Sequence, residues 1–139
     1  MASIPINYVA VVVAAIASMV VGALWYSPLL FGKLWMKLSG LSAKQLAQQK
    51  KKGMIQSYVL QFVASAVMAF VLAHFIVYGG VKTLMNAAQA AFWVWLGFIA
   101  TTSLAAVLWG GKPWKLYLLD NAEMLISLIV MAGIIASWA

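Results

Sequence analysis

Four apolar stretches, Asn7 to Pro28, Ser57 to Tyr78, Asn86 to Trp109 and Leu116 to Trp138, alternate with short polar joints. Each comes close to the roughly 20 residues with which an α-helix crosses a hydrocarbon core about 30 Å thick. The runs lack the period-two alternation of barrel strands, and a backbone in lipid must satisfy its polar groups internally, so the pattern predicts helices. The expected fold is an all-α integral membrane protein. It forms one domain over residues 1–139, an antiparallel bundle of four transmembrane helices with a short interfacial helix between the first and second. The first run has no basic segment before it and is followed by lysines rather than a cleavage site, so it reads as a retained span and not as a signal peptide.

The joints carry their own signals. Between residues 29 and 56, the apolar Leu29, Leu30, Phe31, Leu34, Trp35 and Leu38 are interrupted by Lys33 and Lys37. That pattern suits a short helix lying in the interface with its lysines towards headgroups. Gly40 is expected to end it. Ser42 followed by Gln45 fits a capping box that opens a polar helix through Gln48, Gln49 and Lys50, with Gly53 as its join to the second span. Gly79 to Lys82 and Gly110 to Pro113 leave room only for tight turns, which predicts that consecutive helices are spatial neighbours.

Composition narrows the class. Of 139 residues, 66% are hydrophobic and 8% charged, with mean hydropathy +1.02; a soluble domain carries about a quarter charged residues. The net charge of +7 would point to nucleic acid if the lysines formed one patch, but they do not. Lys33, Lys37, Lys44, Lys50, Lys51 and Lys52 follow the first run, Lys82 alone follows the second, and Lys112 and Lys115 follow the third. Read as a topology signal, this puts the 29–56 loop in the cytoplasm and both termini on the periplasmic or extracellular side. Arginine is absent and Gly110-Gly111-Lys112 lacks phosphate-loop spacing, so no nucleic-acid partner is expected. The absence of cysteine removes disulfides and thiolate chemistry.

Candidate chemistry is sparse. At helical rise, Gln61, Ser65, Thr101 to Ser103, Asp120, Asn121 and Glu123 all fall in the cytoplasmic third, where they are expected to form one polar layer. Asp120 and Glu123, three residues apart, are intramembrane carboxylates and hence the default functional candidates. They read either as a proton-sharing pair for transport or as structural acids bonded to Lys112, Lys115 or water. A hydroxyl of Thr101 to Ser103, or Gln61, is expected to contact at least one of them. On the other side His74 is expected to be a satisfied structural histidine, with Asn7, Tyr8, Asn86 and Gln89 as its candidate partners. One histidine and two acids about 15 to 20 Å away along the helices supply no nucleophile–base set and no metal site. Neither a cofactor nor an enzymatic role is expected. The aromatics fall mostly at the two ends of the runs, as in anchoring belts. Trp93 and Trp95 lie deeper and point to nearly opposite sides of their helix.

Small residues suggest how the helices meet. Ala10, Ala14, Ser18 and Gly22 lie at four-residue spacing along one face of the first helix. Packing within the chain, against a strip such as Ser65, Ala69 and Ala73, is favoured over a subunit interface. Further small residues at Gly97, Thr101 and Ala105, and at Ala132 and Ala136, leave faces smooth enough for a homo-oligomer or for other membrane subunits.

Asn7 to Ala10, followed by Gly22, Leu24, Trp25, Tyr26, Ser27, Pro28, Phe31, Gly32 and Trp35, resembles the opening of the bacterial membrane family called domain of unknown function 1761. The likeness continues through Phe62, Val63, Ser65, Met68, Ala69 and Ala73-His74, then Phe92 to Thr101, then Trp114-Lys115-Leu116 with Asn121. The Trp-Tyr-Ser-Pro run is its most specific element. The resemblance implies the fold and location in a bacterial inner membrane, and implies no reaction, cofactor or site. The functional expectation is therefore a non-catalytic accessory or scaffold subunit that associates laterally. A small oligomeric transporter or channel built on the carboxylate pair is the alternative.

Overall fold

In a computed structural model, residues 5–40 and 43–138 are described, and every regular element among them is helical. Four stretches are long and apolar enough to cross a membrane: Tyr8–Trp25, Ile55–Tyr78, Leu84–Leu108 and Trp114–Ser137. They agree with the expected runs to within a few residues, so the chain is an integral membrane protein of helical type.

Helix α1 (Tyr8–Trp25) opens on Asn7, whose side chain accepts the Ala10 backbone N–H at 3.2 Å; this satisfies one of the four free donors of a helix start. After a tight loop comes α2 (Gly32–Ser39), ended by Gly40 in the left-handed conformation, φ 75°, as expected. Helix α3 (Ala43–Tyr78) then runs unbroken for 36 residues. The expected join at Gly53 does not exist. A helical glycine loses about 1 kcal/mol relative to alanine, which the surrounding Ala, Leu, Gln and Lys residues, all good helix formers, offset. At 1.5 Å per residue α3 is about 54 Å long, so its first turns stand clear of the bilayer. Ser42, the proposed cap, lies outside the described residues.

The third span is composite. Helix α4 (Leu84–Val94), capped by Thr83, passes into a π-helical segment (Trp95–Ala100), then α5 (Thr101–Ser103) and α6 (Ala105–Leu108). Helix α7 (Trp114–Ser137) completes the chain.

Packing centres on α7, which contacts α1, α3 and α4, while α1 also packs on α3. The expectation that consecutive spans are neighbours fails for α3 and α4, which barely touch. The short turn holds their ends together, yet the fourth span has the more continuous packing face. Of the membrane-crossing window of α7, 44% is buried, against 11% for the third span, so α7 is the hub and the third span the periphery. Helices α1 and α7 run antiparallel. Asn7 donates to the Trp138 carbonyl at one end of the α1–α7 pair and Tyr26 reaches Asp120 at the other.

Alanine dominates the contact surfaces: Ala14, Ala69, Ala73, Ala87, Ala91, Ala132 and Ala136 join Leu72, Ile76, Leu128 and Met131 in one buried cluster. Lipid tails are as apolar as these side chains, so burial from water does not drive the association; close backbone approach and dispersion do. Ala10 and Ala14 on α1 are fully buried, which places that part of the small-residue face inside the chain.

Candidate functional site

The carboxylates occur on α7 at the end of the bundle that carries Trp25. Asp120, Glu123 and Ser127 recur every three or four residues and therefore share one helical face, the face turned to α1. The Tyr26 hydroxyl, just past the end of α1, donates to Asp120 Oδ1 at 2.7 Å. Glu123 is 7% exposed, and its Oε1 accepts from the buried Ser127 hydroxyl at 2.7 Å. Across the seam lies Gly22: a Cβ placed there would sit 3.7 Å from the same carboxylate oxygen. The last small residue of the α1 stripe thus makes room for an acid. Both carboxylates turn into the bundle, as intramembrane acids must unless they reach an interface.

Their partners differ from the expected ones. Gln61 is exposed on α3 and Thr101 is exposed on the third span, so neither reaches an acid. Thr101, Thr102 and Ser103 instead donate to the carbonyls of Gly97, Phe98 and Ile99 at 2.8, 2.6 and 2.7 Å. The Tyr117 hydroxyl donates to the Ala100 carbonyl at 2.6 Å. The reason is the π-helical segment, whose widened ladder weakens backbone bonding where lipid offers no substitute; neighbouring hydroxyls supply the missing donors.

Asn121 points the other way, towards the third span, and is 5% exposed. Its Nδ2 donates to the Tyr117 carbonyl at 2.8 Å, its Oδ1 lies 2.9 Å from Ser103 Oγ, and its backbone carbonyl accepts the Trp95 indole N–H at 2.8 Å. Ser65 takes a third seam, α1 against α3, with its hydroxyl 3.9 Å from Met19 Sδ. The single polar layer expected from depth alone is therefore divided among separate seams: α7 turns its acids to α1 and Asn121 to the π-helical segment and α5, while Ser65 lies between α1 and α3.

The second candidate group is not assembled. His74 Nδ1 lies 2.8 Å from the Phe70 carbonyl of its own helix, an acceptor only, so Nδ1 carries the proton. Its ring meets Phe70 edge-on at 4.7 Å. Asn7 is used in capping and in the bond to Trp138, while Asn86 and Gln89 are exposed on α4. A carbonyl one turn away satisfies a histidine at lower entropy than a partner on another helix.

Tyr26 is the residue that depth and charge did not single out, since a tyrosine at a span end reads as an anchor. Its signal was position: it follows Gly22 by one turn and stands level with Asp120. Beside it, the Trp25 indole N–H is enclosed without an acceptor among the described residues, its ring packed on Phe31 at 4.5 Å. The Tyr26–Asp120 bond should be measurable as a coupling. Tyr26→Phe is expected to destabilise the fold by about 1–2 kcal/mol. In a double-mutant cycle with Asp120→Ala, unfolded reversibly in bicelles, most of that loss should vanish when Asp120 is already gone. Simple additivity would mean that the bond contributes nothing.

Among curated proteins and solved structures, none matches the chain. The family described as Protein of unknown function (DUF1761) matches residues 9–136, a span that takes in the Trp-Tyr-Ser-Pro loop, both carboxylates and the π-helical segment, and the chain belongs to that family.

Proposed function

We propose that this protein is a non-catalytic accessory or scaffold subunit of the bacterial inner membrane that associates laterally with itself or with other membrane proteins. The observation that carries this reading is the third span. It leans chiefly on α7, with slight contact to α3, and leaves Gly97, Thr101 and Ala105, one small-residue strip, exposed, with Trp93 and Phe98 exposed alongside. Strips of this kind let a second helix approach closely. The buried polar groups are meanwhile engaged in holding helices together. The alternative, a small oligomeric transporter or channel working through the carboxylate pair, draws on the burial of Glu123. Against it, a hydroxyl occupies each acid, and the cavities lined by Ile6 and Val81 and by Leu84 and Gly133 lie at the opposite end of the bundle.

In this reading both termini face the periplasm and α2, with Lys33 and Lys37 exposed, lies on the cytoplasmic interface. Affinity capture from native membranes in mild detergent, with cross-linking in the intact membrane, should return copies of the chain or a stoichiometric partner. Gly97→Leu combined with Ala105→Leu should lower that yield about tenfold, a change of about 1.4 kcal/mol, while Gln48→Cys stays protected from an impermeant thiol reagent added outside. A monodisperse monomer under both conditions would sink the proposal. So would a solute or proton flux in proteoliposomes that Asp120→Asn and Glu123→Gln abolish.

A further inference from the structure

At the end of the bundle away from the carboxylates, a cavity of about 520 Å³ opens between the start of α1, the end of α3 and the end of α7. That is within the roughly 300–1,000 Å³ of small-molecule pockets. Its walls are apolar, formed chiefly by Ile6, Ile76 and Val81, and its rim carries Lys82 and Trp138. Charge makes the site unusual. Lys82 is the one lysine at this end, since all the others follow the first and third spans. The two acids of the whole chain are Asp120 and Glu123, near the far end of α7. An exposed ammonium at the mouth of an apolar cavity thus has no carboxylate side chain of this protein within reach. The cavity also sits where α3 ends its apolar run at Tyr78, at the depth where acyl chains give way to headgroups.

We propose that this cavity holds an anionic phospholipid, one acyl chain between residues 5–7 and the last turn of α3, and the phosphate on Lys82. Each of the three parts matches: an apolar slot for the chain, a cation for the phosphate, and the Trp138 ring at headgroup level, where amphipathic aromatics settle. A soluble anion would leave the slot empty, and a zwitterionic phospholipid, whose headgroup cation offsets its phosphate, would leave the charge of Lys82 without net compensation.

The test is native mass spectrometry of the full chain reconstituted in phosphatidylcholine bilayers doped with phosphatidylglycerol and released in mild detergent. Retained phosphatidylglycerol should fall about fivefold in Lys82→Gln, the effect of one lysine at a membrane surface, and stay unchanged in Lys112→Gln at the other end. Val77→Trp, which narrows the slot, should reduce retained lipid of either kind. Equal losses in Lys82→Gln and Lys112→Gln would mean annular lipid only and overturn the proposal. Retention unchanged by Val77→Trp would overturn the cavity as its place, and displacement of the bound species by inorganic phosphate would overturn its identity as a lipid.

Discussion

Replacing Gly32 with alanine is expected to destabilise the fold by about 3 kcal/mol, the upper part of the range for overpacking a close contact. A Cβ at Gly32 would lie 2.5 Å from the Tyr26 carbonyl oxygen and 2.8 Å from both the carbonyl carbon and oxygen of Ser27. All three are backbone atoms, which cannot swing aside as a side-chain tip can. The loop there is held by Phe31 N–H to the Trp25 carbonyl at 3.0 Å and Gly32 N–H to the Ser27 carbonyl at 2.9 Å, so relief of the clash must break at least one of these bonds. The consequence spreads in two directions. Tyr26 loses its aim at Asp120, and α2 loses the edge-on contact of Trp35 with Tyr26 at 6.0 Å. Thermal unfolding in detergent should show the loss directly, with Gly97→Ala as the control, because a Cβ at Gly97 meets nothing within 4 Å. Equal stability of the two variants would show that the loop is not the rigid element described here.

A second large effect is expected at Gly22, and it should be graded. Gly22→Ala places a methyl group at ordinary contact distance from Glu123, 3.7 Å, and gains helix propensity of up to about 1 kcal/mol; it should be neutral or mildly stabilising. Gly22→Leu must push its branch into the seam where Glu123 and Ser127 are buried. The carboxylate then loses either its hydroxyl partner or its place, and an unpaired polar group in that setting costs about 1–3 kcal/mol on top of the overpacking. The expected total is about 3 kcal/mol or more. Combining Gly22→Leu with Glu123→Ala should restore much of the loss by opening space, a rescue that a clash elsewhere would not produce. Reversible unfolding in bicelles reads all three variants on one scale.

These two glycines also show where the sequence was legible. The Trp-Tyr-Ser-Pro run marked the loop, yet nothing in the one-dimensional pattern tells that Gly32 lies against the backbone of Tyr26 and Ser27, since close approach is a property of two segments at once. The four-residue spacing of Ala10, Ala14, Ser18 and Gly22 did announce a packing face, because helical periodicity projects directly onto one side. That its last position would accommodate Glu123 depends on the register between α1 and α7.

For the candidate site, depth is legible in the sequence and contact is not. Counting residues along each helix groups Asp120 and Glu123 with Asn121 by depth. Direction around the helix axis is fixed by which neighbour α7 faces, and so Asn121 turned to Ser103 and Trp95 while the acids turned to α1. Thr101 to Ser103 were claimed by the backbone of a π-helical segment, which has no sequence signature of its own.

What the sequence determined by itself was the number of spans, their helical nature and their limits, since length and apolarity against a bilayer admit few other solutions. Local chemistry likewise determined the Gly40 stop. Only the tertiary structure decided that α7 is the hub, that α3 and α4 barely meet despite their short turn, and that Tyr26 is the partner of Asp120. Lipid makes every apolar helix face nearly equivalent, so the choice among faces rests on shape complementarity between distant segments, and that information belongs to pairs of helices and not to any one of them.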